Sequence, residues 1–399
     1  MSNSKIPEGY KQTEIGVIPV DWNAKSLKDL CIEKGLVRGP FGGSLKKEFF
    51  VSKGAKVYEQ KNAIYRNVEL GEYFIDKDKF IELKRFEVKP HDFIVSCSGT
   101  IGKIYLIPEN APTGIINQAL LKISTDDAVI TKEYFYHYFS WEKFQEKIID
   151  NTQGGAMKNL VGMSIFKETQ LPIPLLLPEQ SKIATALSDV DSLIEKLEKL
   201  IRKKKNIKKG AMQELLTGKR RLPGFSDKWN LKELGQVLKV RHGKNQKNVE
   251  VLNGKYPILA TGGEIGRTDT YLYNKPSVLI GRKGTIDVPQ YMDTPFWTVD
   301  TLFYTEIEND SDAKFLFYKF QLIDWYSYNE ASGVPSLNAK TIEGIELHLP
   351  STKFEQSTIA SILSDMDTEI EKLESQLEKY KNIKQGMMQN LLTGKIRLI

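Results

Sequence analysis

Hydrophobic positions in this chain fall into a regular pattern twice. Apolar residues recur at Ile183, Leu187, Val190, Ile194, Leu197 and Ile201, and again at Ile359, Leu363, Met366, Ile370, Leu373 and Leu377. Steps that alternate between four and three residues trace a narrow stripe along a helix. Such a stripe is the seam of a coiled coil, whereas an ordinary core helix shows a broader face. The first helix is predicted over 179–216, ~57 Å at ~1.5 Å per residue, and the second over the matching stretch that begins at Glu355. Pro178 suits a first helical turn, Ser351 is a candidate cap for the second helix, and Gly218 and Gly394 stand where a left-handed stop is needed.

The two stripes belong to a duplication. EQSKIATALSDVDSLIEKLEKLIRKKKNIKKGAMQELLTGKRRL begins at Glu179 and returns as EQSTIASILSDMDTEIEKLESQLEKYKNIKQGMMQNLLTGKIRL from Glu355 (355 − 179 = 176 positions on) without a gap. Roughly two-thirds of the positions are identical, and a period this long marks a duplicated half-protein, not a solenoid. Acids gather towards each start (Asp189, Asp191, Glu195; Asp365, Asp367, Glu369) and bases towards each end (Lys204, Lys205, Lys208; Lys379, Lys381, Lys384). Antiparallel pairing sets acid against base, so an intramolecular antiparallel coiled coil is predicted.

Outside the helices the pattern shortens to strand-like runs rich in β-branched and aromatic residues. Residues 1–178 carry candidate strands at Val57–Gln60, Phe93–Cys97, Ile104–Ile107 and Ile115–Ile123, and a candidate helix at Glu133–Ile149. Residues 221–350 carry strands at Tyr256–Leu259, Ser277–Ile280 and Phe303–Thr305, and a helix at Ala313–Tyr326. Faint echoes link the two, with Trp22 answering Trp229 and SGTIGK (98–103) answering KGTIDV (283–288). The expected fold class is mixed α/β. It has two strand-rich domains, 1–178 and 221–350, and two long helices, 179–220 and 351–399, in pseudo-two-fold duplicated halves.

The formal net charge of +6 makes an anionic partner plausible without requiring one. Two cysteines, Cys31 and Cys97, build no disulfide framework, and no apolar run approaches the ~20 residues of a membrane helix. A soluble cytoplasmic protein without membrane attachment is expected. Catalytic signatures are missing from the sequence. There is no Pro-Pro for the base-holding turn of an adenine methyltransferase, GTIGK lacks the upstream glycine of a phosphate loop, and His91, His137, His242 and His348 are scattered. No cofactor, metal or catalytic residue is expected.

The chain resembles the specificity subunit of type I restriction–modification systems. The features that carry the likeness are GYKQTEIGVIPVDW near the start, PEQSKIATALSDVDSLIEKLEKLI, the LLTGKRRLPGF junction and the second EQSTIASILSD…LLTGKIRL copy. The resemblance implies two target-recognition domains, each reading one half of a split, asymmetric site in double-stranded DNA. It also implies helices that act as spacer and docking surface for two methyltransferase subunits, with restriction subunits added outside. One departure is that the approach to Trp229 lacks the Tyr10–Thr13–Ile15 run, so contacts of that run are expected on one side only.

DNA affinity comes largely from cations on phosphates, and sequence from side chains at base edges. Candidate contacts in the first domain are Arg38, Lys46, Lys47, Lys61, Asn62, Arg66, Thr100, Lys103, Lys158 and Asn159. In the second they are Arg241, Lys244, Asn245, Lys247, Arg267, Arg282, Lys283, Thr285, Ser336, Asn338 and Lys340. Arg282 and Lys283 follow an apolar strand beside glycines and are expected to project, Arg282 towards guanine. Two other classes fit the composition. A self-contained DNA-modifying enzyme would act alone, and a two-domain adapter for protein or RNA would ignore duplex DNA.

Overall fold

The computed structural model describes residues 6–150 and 159–399. The chain divides into two compact units, Met1–Lys196 with Leu377–Ile399, and Leu197–Gln376. Both divisions fall inside long helices, Leu177–Leu215 and Lys353–Leu391. Each unit therefore holds the start of one long helix and the end of the other.

Pairing within each unit is antiparallel. In the second unit Lys204 meets Glu369 at 2.7 Å, Lys205 meets Glu374 at 2.6 Å, and Lys208 meets Asp367. In the first, Lys384 meets Asp191 at 2.6 Å. These partly exposed pairs choose the direction of pairing more than they add stability; burial of the seam is the larger effect. Leu197, Ile201 and Ile370 are buried, while Val190, Ile194, Met366, Leu373 and Leu377 are half-buried. The outer seam positions have a second use. Ile183 and Leu187 join Met388, Leu391 and Leu392 in the core of the first unit, and Ile359 and Leu363 join Met212, Leu215 and Leu216 in that of the second. Gly218 and Gly394 take left-handed φ values of 71° and 72°, as a helix stop requires. The cap of the second helix is Thr352 rather than Ser351, with its Oγ1 accepting from the Glu355 amide at 3.3 Å.

The globular parts repeat one topology. In the first unit an antiparallel sheet runs in the order Ile104–Leu106, Phe93–Ser96, Leu120–Thr125, Cys31–Arg38. In the second the order Gln290–Met292, Ser277–Gly281, Leu302–Ile307, Leu238–Arg241 is the same. Each unit adds one parallel pair, Gly114–Ile116 on Ala55–Tyr58 and Trp297–Thr298 on Tyr256–Ala260.

Several expected elements are divided. The helix expected over 133–149 is two, Lys132–Ser140 and Glu142–Ile148, with Trp141 extended between them. Phe139 and Phe144 are five residues apart, about 140° around an unbroken helix. The break lets both rings enter the core, 5.5 Å apart. The helix expected over 313–326 stops at Phe320 for a similar reason, because Trp325 turns back to pack its ring edge-on against Phe320 at 5.6 Å and donates to its carbonyl. The expected strand 115–123 is two, Gly114–Ile116 and Leu120–Thr125, separated by a turn. Gln60 opens a short helix, Gln60–Tyr65, instead of ending a strand.

A partly buried clamp ties each globular part to a helix. Trp22 Nε1 donates to Glu179 Oε2 at 3.3 Å, and Arg397 donates to both Glu179 oxygens and both Asp21 oxygens, its guanidinium over the Trp22 ring. Arg397 beside Asp21 holds that carboxyl below its ordinary range. The second unit repeats this with Trp229, Glu355 and Arg221, although there Arg221 meets the backbone carbonyl of Asp227. Glu179 and Glu355 are both buried, and paired, hydrogen-bonded carboxylates are the kind a core tolerates. The one-sided run behaves as expected. Tyr10–Thr13 forms a hairpin with Gly16–Pro19, and Tyr10 donates to the Gly394 carbonyl at 3.0 Å. Both stop glycines lie against their tryptophan, Gly218 against Trp229 and Gly394 against Trp22, but Gly394 also lies against Pro19 of the hairpin.

Candidate nucleic-acid interface

The first unit places a tight turn, Asn117-Gln118-Ala119, at one end of its sheet. The Asn117 amide donates to Tyr58 O, Leu120 N to Asn117 O, and Cys97 N to Ala119 O. Asn117 Oδ1 accepts from the Ala119 amide at 3.0 Å, which leaves Gln118 exposed at the tip. Gly39 packs so closely that an added Cβ would lie 1.8 Å from Asn117 O, so only glycine fits there.

The second unit repeats the arrangement with different side chains. Val299 N donates to Leu259 O, Leu302 N to Val299 O, and Arg282 N to Thr301 O at 2.8 Å. Gly243 takes the part of Gly39, its imagined Cβ 2.0 Å from Val299 O. The tip residue is Asp300, whose side chain is 73% exposed. Arg282 Nη1 donates to the Asp300 carbonyl at 3.1 Å and lies 3.9 Å from the carboxylate.

Around the first tip lie Lys47, which lines a shallow pocket with Tyr73, Asn117 and Gln118, and the loop bearing Thr100 and Lys103, all three exposed. The Ser98 amide in that loop donates to Gln60 Oε1 at 3.3 Å, joining the loop to the helix that carries Lys61. Around the second tip lie Lys244, whose amide donates to Thr298 O, and the Arg282–Thr285 loop. That loop is tied to 335–337 by a bridge between Lys283 and Ser336 and by Gly284 N donating to Pro335 O. Lys244, Lys247, Lys283, Thr285 and Lys340 are exposed.

Other candidates are engaged within the protein. Asn62 is wholly buried, its amide donating to Asn67 O and Leu70 O and its Oδ1 accepting from Glu59 N. It is a loop organiser, and its expected place at the surface is corrected. Arg282 is half-buried and held by Asp300, so of the two expected to project only Lys283 does so freely. Arg38 is half-buried, its guanidinium beside Cys97, where burial pushes the thiol up to about 11. Arg241 pairs with Glu306, Arg267 with Glu264, Lys61 with Glu59 and Lys46 with Glu48. Arg66 lies over the Tyr136 ring. Asn245 and Asn338 use their Oδ1 atoms on the amides of Lys247 and Lys340, and Ser336 is half-buried. Lys158 and the side chain of Asn159 lie outside the described residues. Reading 115–123 as one strand hides Gln118. The signal is the Asn-Gln-Ala triplet between two apolar runs, and its counterpart at 299–301 escapes the sequence reading as well.

Among the described residues no group of three or more His, Cys, Asp or Glu side chains is placed to hold a metal ion, and no helix is long and apolar enough to cross a membrane.

Two copies of one scaffold with unlike tips match a known family. The model of the type I restriction modification DNA specificity domain matches residues 19–209 and 226–379. The chain belongs to that family, as a specificity subunit of a type I restriction–modification system. It is 26% identical over 440 residues to the MjaIX specificity subunit of Methanocaldococcus jannaschii, covering 98% of this chain and 96% of the relative. The MjaX specificity subunit of the same organism, itself named as putative, is 24% identical over 425 residues, covering 98% and 97%. In fold it is similar to the S subunit of a type I system from M. genitalium. That likeness has a TM-score of 0.63 at 18% sequence identity, over 94% of this chain and 96% of the other.

Proposed function

We propose that the strand-rich parts of the chain, 1–178 and 221–350, are two target-recognition domains for a split, asymmetric site in double-stranded DNA. The repeated helices, 179–220 and 351–399, serve as spacer and as docking surface for two methyltransferase subunits, with restriction subunits joining the complex. Adenine methylation and ATP-dependent cleavage belong to those partners, and this chain supplies recognition without catalysis, in the cytoplasm. One observation carries the reading. Two units share strand order and glycine-backed turns yet present Gln118 in one and Asp300 with Arg282 in the other. A shared frame with unlike tips suits two half-sites of unlike sequence.

The test is binding of the purified chain to duplex DNA over a salt series. Exposed cations at each rim lead to affinity that falls steeply with salt, by about 10³-fold between ~50 and ~200 mM if six phosphates are neutralised. The same preparation transfers no methyl group by itself. Binding indifferent to salt, or methyl transfer by the chain alone, would remove the assignment.

A further inference from the structure

We propose that Gln118 and the Asp300–Arg282 pair are the base-reading side chains, one set per unit. In this assignment the first tip reads an A·T pair and the second a C·G pair. The inference rests on the reading of both units as DNA-recognition domains and names the side chains that give it content.

A reading side chain has to be aimed by backbone that does not give way. Both turns meet that demand by the same means. Each is hydrogen-bonded to a parallel strand on one side, through Tyr58 O or Leu259 O, and to the neighbouring loop on the other, through Cys97 N or Arg282 N. Each is backed by a glycine with no room for a side chain. Neither tip side chain is used to build its turn. In the first unit Asn117 does that work, and in the second the Asp300 carboxylate makes no hydrogen bond among the described residues.

The chemistry of the tips differs as base edges differ. The Gln118 amide carries an acceptor and a donor on one planar group, the complement of adenine N6 and N7. Asp300 offers an acceptor beside the donors of Arg282, 3.9 Å away. In the major groove a C·G pair presents the cytosine N4 donor next to the guanine O6 and N7 acceptors, which is the complementary pattern. The position of Asp300 makes the point physically. The Asp300 carboxylate is 73% exposed and only loosely paired, 3.9 Å from Arg282, so it repels the phosphates that Lys244 and Lys283 would attract. Its exposed oxygen helps binding where it meets a further donor, and among groove edges the strong donors are base amino groups.

The experiment is selection from a randomised duplex pool by the purified full chain, comparing wild type with Gln118→Ala, Gln118→Glu and Asp300→Ala. All the altered side chains are exposed, and melting temperatures confirm folding. Wild type is expected to select a two-part target. Gln118→Ala flattens one A·T position in one half-site, with discrimination falling on the order of 10- to 100-fold, and leaves the other half-site alone. Gln118→Glu shifts that position towards cytosine, because a carboxylate only accepts. Asp300→Ala flattens one C·G position in the other half-site. If wild type selects its target and the variants select the same one with every position intact, these residues do not read bases, although the DNA-recognition reading stands. If wild type selects no two-part target, that reading falls and this inference with it.

Discussion

His137 shows how one residue can make a packed joint respond to acid. Its Nε2 lies 2.8 Å from Ser188 Oγ, its Nδ1 3.8 Å from Asp191, and burial pushes its pKa down to about 4 despite that carboxylate. Lys384 and Arg66, facing it from the second helix and from the Gln60–Tyr65 region, act in the same direction as burial. The second unit has Tyr318 in this place, donating to Asp367 at 2.7 Å. Unfolded histidine takes up a proton near pH 6.5. Between about 6.5 and 4 the unfolded chain therefore holds the extra proton, and stability falls as pH falls through that window. At pH 5 the loss from this residue alone is about 2 kcal/mol. Denaturant titrations at pH 7 and pH 5 should show that difference shrinking by about this amount in His137→Phe. An unchanged difference would mean that His137 is not the acid-sensitive group.

At the scale of elements, legibility follows periodicity. The long helices are plain in the sequence because a four-three stripe fits little besides a paired helix, and their glycine stops and opposed charges agree with it. Elements interrupted for packing are not legible. Nothing in EYFYHYFSWEKFQEKII marks Trp141 as extended, because the break arises from where Phe139 and Phe144 must go in three dimensions. The turn at 117–119 is masked by the apolar residues around it. Among site residues, exposure and charge can be read from the sequence for Lys47, Lys103 and Lys283. Asn62 looks available there only because burial is invisible to composition.

The cores also predict how half the chain would behave. Met388, Leu391, Leu392 and Arg397 complete the first unit, and residues 176 positions earlier are Met212, Leu215, Leu216 and Arg221, identical at all four positions. A fragment ending at Leu222 carries this set on its own helix with no partner to receive it. Two such fragments are expected to pair antiparallel through Ile183–Ile201, each lending its helix end to the other and reading a palindrome. Analytical ultracentrifugation across a concentration series decides it; a monomer at high concentration would refute the pairing.

For the whole molecule the proposed spacer role makes a geometric prediction. Inserting one heptad after Leu197 and one after Leu373 keeps the apolar phase and lengthens each helix by ~10.5 Å, about three base pairs at ~3.4 Å each. Three base pairs also turn a half-site by roughly 100° about the duplex, since one turn takes ~10.5 base pairs. Binding is expected to weaken by a few kcal/mol of DNA or protein deformation. Selected targets should keep both half-sites while the unread gap grows by about two to four base pairs. A folded variant that still selects the original gap would show that helix length does not set it.

The clamps have a consequence for how new specificities arise. Trp22 with Glu179 and Trp229 with Glu355 present the same socket, and Arg397 and Arg221 are the same plug. A genetic crossover anywhere in the duplicated segment therefore joins a globular part to a joint that already fits it. On the proposed reading, what such an event changes is vocabulary, the set of bases named by a tip, while the grammar that connects one word to the next is inherited whole.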